Sequence, residues 1–167
     1  VGGMSLLPAD MEWPVNPNGE KLVMILNIPT NFLNDNWGYQ YPNDKIISVF
    51  TTYNLDDYCL DSIVYHENGE ELERIKNGFT KVILHDVGNP RNDADYLIPA
   101  RKLMVGEKTD FANECGGSLF GGGPVFLQNE NLEVDAYQFC MQIYGADFPE
   151  EFQDIFLPEL FTALIQR

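Results

Sequence analysis

CGGSLFGGGPVFLQNENLEVDAYQFCMQIY, residues 115–144, is the stretch from which the fold is read. Five of the chain's 14 glycines fall between Gly116 and Gly123, followed by Pro124 and by an apolar run from Tyr137 to Ile143. The N-terminal stretch VGGMSLLPADMEWPVNPNGEKLVMILNIP, residues 1–29, has the same order: Gly-Gly, a short apolar link, a proline, a polar gap and a hydrophobic strand. An order repeated in this way points to an internal duplication within a single domain over residues 1–167, with halves near 1–110 and 111–167 and Leu26 set against Met141. Gly2, Gly3, Gly116 and Gly117 are expected at backbone turns that need φ > 0 or a close chain approach, and Pro124 marks a further turn.

Composition sets the outer limits. A chain of 167 residues with 44% apolar and 13% aromatic side chains is globular rather than disordered. It can bury roughly 70% of its unfolded surface. No apolar run is long enough for a transmembrane helix, and no basic segment followed by an apolar one marks a signal peptide. Ten basic residues against 26 acidic ones give a net charge of −16. Phosphate backbones and anionic lipid attract the opposite sign, so nucleic acid and membrane surfaces are poor partners. A basic protein, or solubility alone, accounts for such a charge. Cys59, Cys115 and Cys140 are odd in number and form no CxxC pair, which fits a reducing, cytoplasmic setting. His66 and His85 have no ligand partner at zinc spacing, and neither a metal nor a cofactor is expected.

Along the chain, Asn16-Pro17-Asn18-Gly19 reads as a turn and Leu22–Ile28 as a buried strand ended by Pro29. Residues 30–44 lack periodicity and read as a surface loop carrying Trp37 and Tyr41. Ile46–Thr52, Ser62–His66 and Phe79–His85 read as strands, and Glu70–Lys76 as one helical turn. Leu97–Val105 reads as a strand that Pro99 confines to a sheet edge. Phe152, Ile155, Phe156, Leu160, Phe161 and Leu164 recur at helical spacing, so a C-terminal helix is expected over 148–166, kinked at Pro158. The class is α+β, with mostly antiparallel sheets built from two glycine-rich halves.

Chemistry-bearing residues are few. Gly121-Gly122-Gly123-Pro124 lacks the Lys-Ser/Thr of a phosphate loop and reads as a turn. Cys115, with His66 or His85 as its base, is the one nucleophile a small hydrolase could use. His66-Glu67 and His85-Asp86 are neighbours in extended chain, which sends their side chains to opposite faces. Residues 89–95, NPRNDAD, approach a calcium loop without its closing Glu. Gln128 and Gln142 interrupt apolar strands, and buried amides need partners. Those partners are turns of the protein itself or an extended peptide added to a sheet edge. Trp13, Trp37 and Tyr41 could line such a groove, although a lone Trp is more often a core anchor.

The pattern Gly2-Gly3, Trp13-Pro14, Gly19 and Leu22–Ile28, followed by Ile46–Thr52, resembles the bacterial YwqG-like family of unknown function. Gly116-Gly117, Pro124, Leu127-Gln128 and Phe139–Ile143 are similar to that family's second glycine-rich block and its strand. The resemblance implies a duplicated, sheet-based α+β fold. It also implies a distant relation to eukaryotic chaperones that hold a small-subunit ribosomal protein, and company with bacterial toxin systems. The insertion Gly121-Gly122-Gly123 and a missing upstream helical region depart from the family pattern. Both associations imply a non-enzymatic protein- or peptide-binding module, with toxin neutralisation or chaperoning of a basic client as its concrete forms.

Overall fold

The computed structural model describes residues 1–54, 69–106, 118–121, 137–144, 147 and 160–166. These fall into two compact units, one holding residues 1–54 and 69–104, the other the described residues from Val105 onward. The architecture is α+β, with antiparallel sheets and short helices.

In the first unit β1 (Val23–Pro29), β2 (Lys45–Thr51) and β3 (Thr80–Asp86) form an antiparallel sheet in that order. One face carries the main buried cluster. Leu7, Trp13, Leu22, Met24 and Phe50 are buried together, with Met11, Ile83 and Ala94 packed against them. Burying each of the larger side chains removes apolar surface worth about 1.5–3 kcal/mol. Trp13 meets Phe50 edge to face at 5.3 Å and donates its indole N–H to the Leu22 carbonyl at 2.8 Å, so its polar end is satisfied inside the core. The turn at residues 16–19 closes as its residues dictate. Asn16 Oδ1 accepts from the Asn18 and Glu20 amides, and Gly19 supplies φ 85°.

The second unit contains β4 (Leu119–Phe120), β5 (Tyr137–Tyr144) and β6 (Leu160–Gln166), antiparallel with β5 in the middle. A register shift interrupts β1 between Met24 and Leu26, and another interrupts β5 between Phe139 and Met141. The carbonyl of each skipped residue accepts from a glycine at positive φ: Ile25 from Gly2 at 2.7 Å, Cys140 from Gly121 at 2.9 Å.

Three expectations need correction. Thr30–Trp37, read as loop, is a helix, α1. Its inward positions are Thr30 and Leu33, and Gly38 closes it at φ 70°. Eight residues rich in Asn show too little periodicity to announce it, and the Asn side chains serve the loop instead. Asn31 and Asn34 bond the backbone and side chains of residues 41–44. Leu97–Val105 joins no ladder. It is held irregularly through Gly3 N–H to the Ile98 carbonyl and Arg101 N–H to the Val1 carbonyl, and Pro99 has no N–H to give. At the chain's end Leu160–Gln166 is strand β6, not helix. The other residues of that expected helix lie outside the described ones, as does the strand expected at Ser62–His66. The short helix α2 (Gly69–Arg74) matches the turn read at Glu70–Lys76 and passes through a π-helical turn (Ile75–Phe79) into β3. No helix among the described residues is long and apolar enough to cross a membrane.

Candidate functional site

The first unit's sheet has two outer strands, and they are treated differently. The outer side of β1 is occupied, because Gly2 N–H bonds the Ile25 carbonyl and Asn27 Nδ2 donates to the Met4 carbonyl at 3.2 Å. On β3 the parity of the ladder decides which backbone groups are committed. Thr52 N–H bonds the Phe79 carbonyl at 2.9 Å, and the register then runs Phe50↔Lys81, Ser48↔Ile83, Ile46↔His85. Alternation in an antiparallel pair leaves the N–H and C=O of Val82 and Leu84 pointing away from β2. Gly88, on the same parity, confirms it by donating outward to the Leu6 carbonyl at 2.7 Å. Among the described residues nothing pairs with the outward groups of Val82 and Leu84.

Their side chains are open as well. Val82 is 61% exposed and Leu84 46% exposed, and Val87 beyond them is 58% exposed. Register places Leu26, Val49 and Val82 in one row across the sheet, and Ile28, Ile47 and Leu84 in the next. Leu26, Ile28 and Ile47 are buried. Apolar rows that are buried on β1, and buried or half-buried on β2, thus run out to exposed side chains on β3.

That edge stops where the N-terminal segment begins. Ser5 bridges Arg91 antiparallel, and Gly88 lies so close to Pro8 that a Cβ there would meet the Pro8 Cα at 2.6 Å. A turn in which Met11 N–H bonds the Pro8 carbonyl then carries the chain away. At this corner lies a shallow recess of about 340 Å³, lined by Pro8, Asp10, Met11, Lys45, Leu84, His85 and Asp86. Lys45 and Asp86 pair across the strands at 2.6 Å.

Under the recess runs a buried polar row that the sequence does not announce. Asn27, its Nδ2 turned to Met4, accepts at Oδ1 from the Ser48 hydroxyl at 2.6 Å. Ser48 Oγ lies 2.7 Å from His85 Nε2, and His85 Nδ1 donates to the Asp86 carbonyl at 2.7 Å. A Ser–His contact of this length invites a nucleophilic reading. Burial opposes it: Ser48 is 0% exposed and His85 4%, so no substrate carbonyl reaches Oγ. Both ring nitrogens of His85 are engaged inside the fold, which gives this residue a structural post. Cys115 and His66 lie outside the described residues.

Of the residues expected to bind a partner, Trp13 is in the core. Trp37 and Tyr41 are half-buried on α1 and its following loop, with Trp37 against Phe32 and Tyr41 against Tyr39. Gln142 is 1% exposed on β5, opposite Leu119 on one side and Thr162 on the other, so its strand has no ladder side to offer a guest. Gln128, Gly116, Gly117 and Pro124 lie outside the described residues. Gly2 and Gly3 hold φ 61° and 79°. Among the described residues no cluster of His, Cys, Asp or Glu could hold a metal ion. Sequence reading missed Val82 and Leu84, whose one signal is apolar side chains on both faces of a short strand. Comparison with known proteins finds no family model, no curated protein and no solved structure that matches the chain.

Proposed function

We propose that this chain is a non-enzymatic binding module that takes an extended segment of a basic protein along the open edge of β3. The observation that carries the reading is the pairing of uncommitted backbone groups with exposed apolar side chains at Val82 and Leu84. Sheet edges are normally blunted by charge, proline or a covering segment. Among the described residues a segment pairs with β1 on its outer side and none pairs with Val82 or Leu84 on β3. Strand addition uses such an edge, with main-chain bonds giving affinity and alternate side-chain positions giving selectivity. The net charge of −16 selects a basic partner and raises the rate of encounter.

Chaperoning of a basic client, or neutralisation of a toxin, are the forms that the resemblance to YwqG-like proteins supports, in a cytoplasmic setting. The matching bulges at Ile25 and Cys140, each fed by a positive-φ glycine, support an internal duplication in which β1 corresponds to β5. The test is affinity capture from the native lysate at low and high salt, with wild type beside Val82→Pro. The outward N–H of Val82 serves no bond among the described residues, so proline there closes the edge without opening the β2–β3 ladder. A basic protein held stoichiometrically by wild type and lost by the variant supports the reading. An identical catch with both proteins overturns it.

A further inference from the structure

Resting on that reading, we infer that the β3 edge is built for one class of segment: an extended strand of the pattern basic–x–apolar–x–apolar, running antiparallel to β3 with its basic residue at Asp86 and Asp10. Direction comes from the chain itself. The N-terminal segment already pairs antiparallel with the continuation of this edge, through Ser5 opposite Arg91 and the Leu6 carbonyl bonded to Gly88. It leaves at the Pro8–Met11 turn, and a guest strand takes up the ladder where it stops.

Pattern follows from register. Residues directly opposite in an antiparallel pair lie on the same face of the sheet. Guest residues opposite Leu84 and Val82 therefore extend the rows Ile28–Ile47–Leu84 and Leu26–Val49–Val82, which are apolar throughout. Burial of a third partner in each row favours apolar guest side chains at those two positions. The guest residue opposite Asp86 precedes them by two. It meets a corner with Asp86, whose side chain is 75% exposed despite its pairing with Lys45, and Asp10, which has no cationic partner among the described residues. Two carboxylates against one ammonium leave room for a Lys or Arg from the guest.

Charge also excludes the other occupants. A second copy of this chain brings another −16, and self-repulsion opposes an edge-to-edge dimer. An acidic segment meets the same field with the wrong sign.

The test uses the whole chain and three capped peptides, KRTVTVTG, its charge-reversed form EETVTVTG and its apolar-stripped form KRTSTSTG, followed by NMR amide shifts and titration. KRTVTVTG is expected to shift the Val82 and Leu84 amides and their β3 neighbours. The two altered peptides are expected to bind at least about tenfold more weakly, through loss of charge complementarity and of apolar burial respectively. Val82→Pro should abolish the shifts. Leu84→Lys, which keeps every main-chain group, is the second variant should proline unfold the strand, and it should weaken KRTVTVTG by a similar factor. Equal binding of EETVTVTG overturns the basic class, and shifts confined to other parts of the chain overturn the site. Silence from all three peptides, while lysate capture still depends on Val82, overturns this segment pattern and leaves the binding module standing. Silence together with capture that ignores Val82 overturns both.

Discussion

Gly88 and Ser48 hold the corner of the site from opposite sides of the sheet. At Gly88 the requirement is space, since an added Cβ would meet the Pro8 Cα and N at 2.6 and 2.7 Å, and backbone atoms cannot swing aside as a side-chain tip can. Gly88→Ala should push the N-terminal segment off the bond between its Leu6 carbonyl and the residue-88 N–H, and cost about 1–3 kcal/mol, the range of an overpacked site. A denaturant midpoint equal to wild type would rule that contact out. At Ser48 the requirement is polar. Ser48→Ala leaves Asn27 Oδ1 and His85 Nε2 facing each other without the hydroxyl that joins them. A loss of about 1–3 kcal/mol is expected for polar groups buried without partners, read by thermal or chemical unfolding. Neither requirement is legible in the sequence. Asn27, Ser48 and His85 stand 21 and 37 residues apart along the chain and meet only through strand register. Trp13 reads from sequence as one of the groove residues, with the core as the commoner place for a lone Trp, and it is in the core.

At the scale of elements, alternation and turn residues located β1, β2, β3 and β5 to within a residue or two. They did not say which strand ends a sheet. Pro99 pointed to an edge at residues 97–105, whereas the open edge belongs to β3, which contains no proline and no outward charge between Lys81 and Asp86. Phe79–His85 reads from sequence as a strand and no more, and the exposure of Val82 and Leu84 on it appears only in the fold. Leu160–Gln166 shows the complementary ambiguity. LFTALIQ continues a helical spacing from upstream, and a mostly apolar stretch of seven residues fits a buried strand as well as a helix. The prediction that belongs here is a separation of binding from folding. Val82→Pro should lose partner capture while its unfolding midpoint shifts by no more than about 1 kcal/mol, because an edge N–H that faces solvent makes no ladder bond to lose. Ile83→Pro, one residue on, removes an N–H that bonds β2 and should cost about 3 kcal/mol or more. Equal destabilisation by the two prolines, measured by chemical denaturation, would contradict the assigned parity.

For the whole molecule, charge is the property that reaches furthest. With 26 acidic residues against 10 basic ones, association with a basic client should be fastest at low ionic strength and slow as salt is added. Stopped-flow association rates with a captured client should fall by at least about tenfold between low salt and about 1 M, where the screening length is near 3 Å. A flat rate would remove electrostatics from the account. The charge and the repeated glycine–proline–strand order were both plain from sequence; the partner's point of entry was not, because it depends on which edge the rest of the fold leaves open.

That open edge is best tested by residue-resolved hydrogen exchange on the intact chain, free and with its client. Strand addition at β3 predicts rapid exchange at Val82 and Leu84 in the free protein, beside protected Lys81, Ile83 and His85, whose amides face β2. It predicts that Val82 and Leu84 slow on binding. Slow exchange at both already in the free protein, or rates unchanged in the complex, would contradict strand addition at β3.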